Sequence, residues 1–350
     1  MTVLIHKDFI GGNISVEKIE GNTVFVEREN RDTTDWFYWA FCVEEAAEKT
    51  LTFRFPSENR VGRFGAAVSH DLKSWHWQDV WDSGDSFSYT FGEDENKVYF
   101  AHHMLYDPER MNRLAAERNI PIETLCTTEK GRALPWFSFG YEKKKILFTS
   151  RHHACESTGT YALEGCVSEL FGKLPDDYSV TVIPFVDYDG VIDGDQGKNR
   201  IPYDHNRDYI DKPIYNVTKK IIGFVAENPP EIFIDFHSPW HMRNGNDYNF
   251  FSHAKTSMGE STDNFGKILA DESKHLPLKY DGKNDVRSNE RWNSDDLPNS
   301  KNYMSDIPGI KLVLSTETAY FGLPESKVSI DGLLELGHAY GRAILRFIAE

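Results

Sequence analysis

KKKILFTS (143–150) runs straight into Arg151-His152-His153-Ala154-Cys155-Glu156. The first part is a compact apolar run of strand length, and the second is dense in groups that bind cations or move protons. Gly159–Gly172 (GTYALEGCVSELFG) follows with helical spacing. A buried strand, a polar strand end and a helix make up the β–α unit of an α/β sheet. The unit recurs in SVTVIPFV (179–186) with its polar loop. It recurs again where a helix over Lys212–Asn228, closed by Pro229-Pro230, precedes EIFIDF (231–236). GIKLVLS (309–315) is a further buried strand, and Val328–Glu350 reads as a long terminal helix. The pattern predicts a mixed, largely parallel sheet flanked by helices. Thr256–Asn302, polar and without clear periodicity, is expected to form surface loops around a mouth.

Upstream the pattern is different. NTVFVE, DWFYWAFCVE, LTFRF, FGAAVS, FSYTFGE and KVYFAHH are short apolar or aromatic runs, broken by turns such as Asp82-Ser83-Gly84-Asp85 and Gly92-Glu93-Asp94. Regular breaks between short strands predict an antiparallel β-sandwich over residues 1–105. Asp107 followed by Pro108 is a helix-start signal, which opens a second domain over 106–350.

The chain has 350 residues, 39 Lys+Arg and 55 Asp+Glu, hence a formal net charge of −16. That balance argues against nucleic acid and anionic membrane surfaces as partners, since both are polyanions. The apolar run at Val3–Ile5 is too short for a signal-peptide core, and no stretch reaches the length of a membrane span. Cys42, Cys126, Cys155 and Cys166 show no CxxC pairing. They read as buried or incidental thiols, and the expected compartment is cytoplasmic.

In open α/β sheets, sites form at the carboxyl ends of strands. Three strands here end in chemistry: His152-His153 and Glu156 after the first, His237 after EIFIDF, and Glu317 after GIKLVLS. His153 and Glu156, three apart, can converge on one ion where the chain turns into a helix. His237, 81 residues on (237 − 156), supplies a third ligand and leaves a coordination position open for water. Two imidazoles and a carboxylate suit zinc. His152 has Cys155 rather than a carboxylate at i+3, so it takes a structural role. Glu317 is either a carboxylate at the solvent edge or a group able to accept a proton from metal-activated water. Arg200 and Arg207, seven apart, are either solvated surface charges or groups for carboxylate and oxyanion capture.

His153-x-x-Glu156, His237, Asn206-Arg207 and Glu317 occur in the order of the M14 zinc carboxypeptidases. LTFRFPSENRVGRFG and DENKVYFAHHMLYDPERM resemble the N-terminal β-domain of the cytosolic carboxypeptidase branch. The resemblance implies a zinc metallocarboxypeptidase holding one Zn²⁺ on His153, Glu156 and His237, with a peptide or protein C-terminus as substrate. It implies Glu317 as general base, Arg200 polarising the scissile carbonyl, and Asn206 and Arg207 clamping the terminal carboxylate. A substrate-capping tyrosine is expected before Glu317, with Tyr303 and Tyr280 as candidates. Arg243 is a candidate for an acidic side-chain preference, or a surface arginine. The chain departs from the family in having His-Ala-Cys-Glu for His-Pro-Gly-Glu and Asp204-His205-Asn206-Arg207 for Asp-Leu-Asn-Arg.

Two rival readings use the same residues. One is a zinc amidohydrolase of the aspartoacylase and succinylglutamate desuccinylase type, acting on N-acyl amino acids. The other is a non-catalytic binding protein with a degenerate peptidase domain. Oligomeric state is not encoded in any of these motifs.

Overall fold

The computed structural model describes residues 3–350 except 35, 58–59, 81–83 and 141–142. Among the described residues of 4–101 there are nine strands: β1 (Leu4–His6), β2 (Ser15–Glu20), β3 (Thr23–Glu27), β4 (Ala40–Glu44), β5 (Thr50–Arg54), β6 (Ala67–Ser69), β7 (His76–Trp77), β8 (Ser86–Thr90) and β9 (Lys97–Ala101). They form a five-stranded sheet, β1-β4-β9-β6-β7, antiparallel throughout, and a four-stranded sheet, β2-β3-β5-β8. Within the second sheet β3 and β5 run parallel. Part of the expected turn at Asp82-Ser83 lies outside the described residues.

Period-two alternation gives the five-stranded sheet two buried faces. Phe41, Val43, Val98 and Phe100 meet Val24, Leu51, Phe53 and Phe87 between the sheets. Ala40, Cys42, Tyr99 and Ala101 point the other way, into a core shared with the rest of the chain. Burying each large apolar side chain contributes roughly 1.5–3 kcal/mol. The aromatic run Trp36–Trp39 precedes β4 in irregular backbone, and all four residues are buried.

Beyond residue 105 come α1 (Pro108–Glu117), β10 (Glu123–Thr127), β11 (Ala133–Gly140), β12 (Lys144–Ser150), α2 (Ser157–Leu170), β13 (Tyr178–Ile183), α3 (Tyr188–Asp193), α4 (Asn216–Glu227), β14 (Ile232–His237), β15 (Phe250–His253), α5 (Gly259–Ser273), α6 (Ser300–Ser305), β16 (Leu312–Glu317) and α7 (Ile330–Ala349). Asp107 caps α1, accepting from the Glu109 amide at 3.0 Å. The sheet order is β10-β11-β13-β12-β14-β16-β15, with four central parallel strands and antiparallel edges. β14 is buried throughout. Ile232, Ile234 and Phe236 face the core containing α2 and α7, while Phe233 faces the one containing α4. Glycines let α2 and α7 touch: a Cβ on Gly165 would stand 2.1 Å from the Leu334 carbonyl oxygen.

Thr256–Asn302 corrects the expectation of loops, because it contains α5 and the start of α6. Thr262, Phe265, Gly266 and Leu269 form the buried stripe of α5 at helical spacing. Its small and polar members hide that stripe from a hydrophobicity reading. The helix over 212–228 begins only at Asn216, because the Asp208 carboxylate holds the Ile214 and Tyr215 amides at 2.8 and 3.0 Å. All four cysteines are buried and unpaired. Among the described residues no helix is long and apolar enough to cross a membrane.

Candidate metal centre and its cleft

Three parallel strand ends deliver the site. β12 ends at Ser150, and the turn after it carries His153 and Glu156, the last residue before α2. β14 ends on His237 and β16 on Glu317, and these two are direct neighbours in the sheet register. Close packing of α2 on β14 depends on Gly159, where a Cβ would lie 2.8 Å from the His237 carbonyl oxygen.

His153, Glu156 and His237 place one ligand atom each within 4.8 Å of one another, and all three are buried. His153 Nδ1 lies 2.7 Å from Glu156 Oε1, and His237 Nδ1 lies 2.7 Å from Glu156 Oε2. The far ring nitrogens are also engaged. His237 Nε2 meets Asp235 Oδ2 at 2.7 Å, while His153 Nε2 faces Asp204 Oδ1 at 3.8 Å and Lys198 Nζ at 3.2 Å. Two imidazoles and a carboxylate converging on one point, with the His237 ring held from behind by Asp235, fit a divalent cation such as zinc.

Asp235 is the hub of the supporting layer. It accepts from Thr149 Oγ1 at 2.8 Å and from Ser300 Oγ at 2.6 Å, and its Oδ1 lies 2.9 Å from His152 Nδ1. His152 reaches Tyr209 with its other nitrogen at 2.8 Å and does not line the cleft.

Burial shapes the charges. It opposes ionisation of His237, but Asp235 and Glu156 outweigh it and push that imidazole up to about 10. His153 goes the other way, to about 4, because burial exceeds the attraction of Glu156. Burial raises Glu317 and lowers Lys301, and each charge draws the other back towards ionisation.

One cavity of about 290 Å³ is lined by His153, Glu156, His237 and Glu317, together with Asn206, Arg207, Lys198 and Lys301. Asn206 and Arg207 sit on a 3₁₀ turn (His205–Arg207), where Asn206 Oδ1 accepts from the Ser300 amide at 3.2 Å. Arg200 is not brought there, which corrects its expected placement at the scissile carbonyl. Its guanidinium donates to Asp187 at 2.7 and 3.2 Å, to Asp195 at 3.2 Å and to Asp32, beside a different pocket. Each of its three nitrogens donates to a carboxylate outside the cavity that the ligand set lines. Arg243 is likewise absent from the lining: its side chain is exposed, on left-handed backbone (φ 72°) in a turn closed by Asp247. Neither candidate tyrosine lines the cavity; Tyr280 donates to Asp285 at 2.7 Å, and Tyr303 packs on Tyr209.

Sequence reasoning missed two cationic groups. Lys198 lies two positions before Arg200 in the same Gly-Lys-Asn-Arg segment, and it is the one that reaches the cleft. Lys301 sits on α6, inside the stretch read as loops, buried and donating to Ser252 Oγ. The Asn299 cap of α6 was its only local signal.

The chain has a metallo-carboxypeptidase-type fold, as the resemblance of its motifs implies. It superposes on the metallo-carboxypeptidase of Burkholderia cenocepacia with a TM-score of 0.84, at 18% identity, over 100% of this chain and 99% of that one. It superposes on the Pseudomonas aeruginosa metallo-carboxypeptidase, solved with (2-guanidinoethylmercapto)succinic acid, with a TM-score of 0.80 at 17% identity, over 99% of each chain. In sequence it is 25% identical over 181 residues to the uncharacterized protein ZMO1242 of Zymomonas mobilis, covering 49% of this chain and 48% of that protein. It is 23% identical over 199 residues to cytosolic carboxypeptidase 2 of Xenopus tropicalis, covering 49% of this chain and 20% of that protein. The matches thus span about half and one fifth of these curated relatives. No protein-family model matches the chain.

Proposed function

We propose that the protein is a zinc metallocarboxypeptidase that hydrolyses the C-terminal peptide bond of peptide or protein substrates. The observation that carries this is the sharing of one cavity by a His-His-carboxylate ligand set, the Glu317 carboxylate and the Asn206-Arg207 pair. A zinc ion held by His153, Glu156 and His237 supplies a water of lowered pKa and a Lewis acid for a carbonyl. Glu317, whose buried carboxylate is raised in pKa, takes a proton and returns it to the departing amine. Arg207, with Asn206, fixes the substrate's terminal carboxylate and so restricts cleavage to the last bond. The oxyanion role expected of Arg200 passes to Lys198, the ammonium beside His153.

Lys301 supports a preference for an acidic last residue. Burial opposes the charge of this ammonium more than Glu317 favours it, and a substrate carboxylate in the cavity adds the missing countercharge. We assign residues 1–105 to an N-terminal β-sandwich domain and 106–350 to the catalytic domain, since all strands of the two smaller N-terminal sheets end by Ala101. The four unpaired buried cysteines support a cytoplasmic location.

The test is a digest of a peptide library by the zinc-loaded protein, read by mass spectrometry. Loss of single residues from free C-termini, Glu and Asp first, is expected, and Lys301→Met should remove the acidic preference by at least tenfold. Cleavage only of internal bonds, or only of N-acyl amino acids, overturns the proposal.

A further inference from the structure

The cleft is lined by two unlike groups of residues, which we take as its two ends. At one, Lys301 bonds to Ser252 and stands 5.5 Å from the Trp292 ring, beside Asn206 and its Ser300 partner. At the other, Trp36 and Trp240 meet edge to face, with centroids 4.6 Å apart at 78°. Lys198 ties this second end to the ligand cluster, lying 5.9 Å from the Trp36 ring and 3.2 Å from His153 Nε2.

Trp240 is 43% exposed, yet it is braced from behind. Phe37 stands against it at 5.4 Å and 88°, and His241 at 5.0 Å. Phe37 is fixed in turn by Tyr320 at 5.4 Å and by His102 at 4.7 Å. An indole held rigidly by buried rings while its own face stays in water is apolar surface left uncovered, beside a reactive cleft. Trp36 comes from the segment before β4 and Trp240 from the loop after β14. The wall therefore exists only where the N-terminal sheets meet the large sheet.

We propose that Trp36 and Trp240 form a subsite for the one or two residues preceding the scissile bond, and that it selects aromatic side chains there. The proposal rests on the carboxypeptidase reading. With the terminal carboxylate on Arg207 and the scissile bond at the ligand cluster, the remaining chain leaves along the tryptophan wall. The N-terminal region then acts as a specificity element of the cleft. An aromatic side chain against two indoles gains both buried area and edge-to-face contact.

The test uses acetyl-Xaa-Xaa-Glu peptides with Xaa as Phe, Gly or Glu. Binding to the zinc-loaded Glu317→Gln protein is measured by calorimetry, and cleavage by the unmodified enzyme is followed in parallel. The Phe peptide should bind about tenfold more tightly than the Gly peptide. That ratio should fall below twofold in Trp240→Ala carrying Glu317→Gln, and survive in the matching Trp240→Phe protein. Trp240 is exposed, so the test does not depend on a Trp36 variant that fails to fold. Equal affinities, or tightest binding of the Glu peptide, overturn the subsite while binding and cleavage of the Gly peptide leave the carboxypeptidase reading standing. No binding and no cleavage of any of the three overturns both.

Discussion

The buried charges around Arg200 and those around Glu156 end differently. Around Arg200, Asp187, Asp195 and Asp32 engage all three guanidinium nitrogens, and none of the four residues lines the main cleft. Around Glu156, the two imidazoles and the carboxylate also satisfy one another, but their shared point opens on a cavity that Glu317, Lys198 and Lys301 face as well. Both clusters are made of groups that composition alone would call catalytic. What separates them is whether any valence remains directed at space a substrate can enter. A closed cluster serves the fold, and an open one has chemistry to spare.

The largest effect expected from this contrast is at Glu317. Glu317→Gln keeps the shape but removes the proton acceptor, so turnover on a C-terminally free peptide should fall about 10³-fold. Zinc content, measured by elemental analysis, should stay at one per chain, because Glu317 is outside the three-ligand set. A variant that turns over normally breaks the contrast at its open side. A variant that loses its metal places Glu317 among the ligands instead.

The closed side is tested by Arg200→Met. Removing the cation leaves the buried Asp187 without its countercharge, while Asp195 keeps Arg31 and Lys130. Loss of one partner from a buried ion pair costs about 3–5 kcal/mol, so the urea midpoint should drop sharply. Turnover per folded molecule, at a temperature where the variant is still native, should change less than tenfold. Intact stability with abolished turnover would reverse the assignments of Arg200 and Lys198.

The open cluster was more legible in the sequence than the closed one, for a physical reason. His153, Glu156, His237 and Glu317 each follow a hydrophobic run, and strand ends in a parallel sheet converge by topology. Arg200 and Lys198 stand two residues apart with equal local credentials. What separates them is Asp32, a partner 168 positions away that enters from the N-terminal sheets. Lys301 was hidden because α6 is only six residues long and α5 buries Thr262 and Gly266 where an apolar stripe would have announced a helix. Trp36 had the opposite problem: its run Trp-Phe-Tyr-Trp reads as strand, whereas the backbone there is irregular and turns the ring to a cleft built by another part of the chain.

A third cluster sharpens the comparison, because it is buried with no carboxylate among the described residues bonded to any of its rings. His102, His103 and His241 lie where the N-terminal sheets meet the large sheet, with His102 Nδ1 3.0 Å from His103 Nδ1 and His103 Nε2 at the Cys155 carbonyl, 2.8 Å away. Burial lowers all three, His103 to about 3 and His241 to about 4, with neighbouring cations such as Arg60 adding to the effect on His102 and His241. The unfolded chain binds a proton at each below about 6.5 while the folded chain does not, so their contribution is intact above 6.5 and is lost as pH falls towards 4. His237 has the reverse sign: held up to about 10, it stabilises the metal-free protein most below 6.5 and loses that contribution as pH rises through 10. Between pH 6.5 and 5 its contribution is flat, so that window belongs to the histidines that burial lowers: these three, with His153 and His205. His241→Gln should therefore reduce the stability lost by the metal-free protein between pH 6.5 and 5 by about 1.5 kcal/mol, measured by urea unfolding at each pH. An unchanged slope would mean that His241 takes up its proton in the folded state, and that this junction tolerates charge as the Arg200 cluster does.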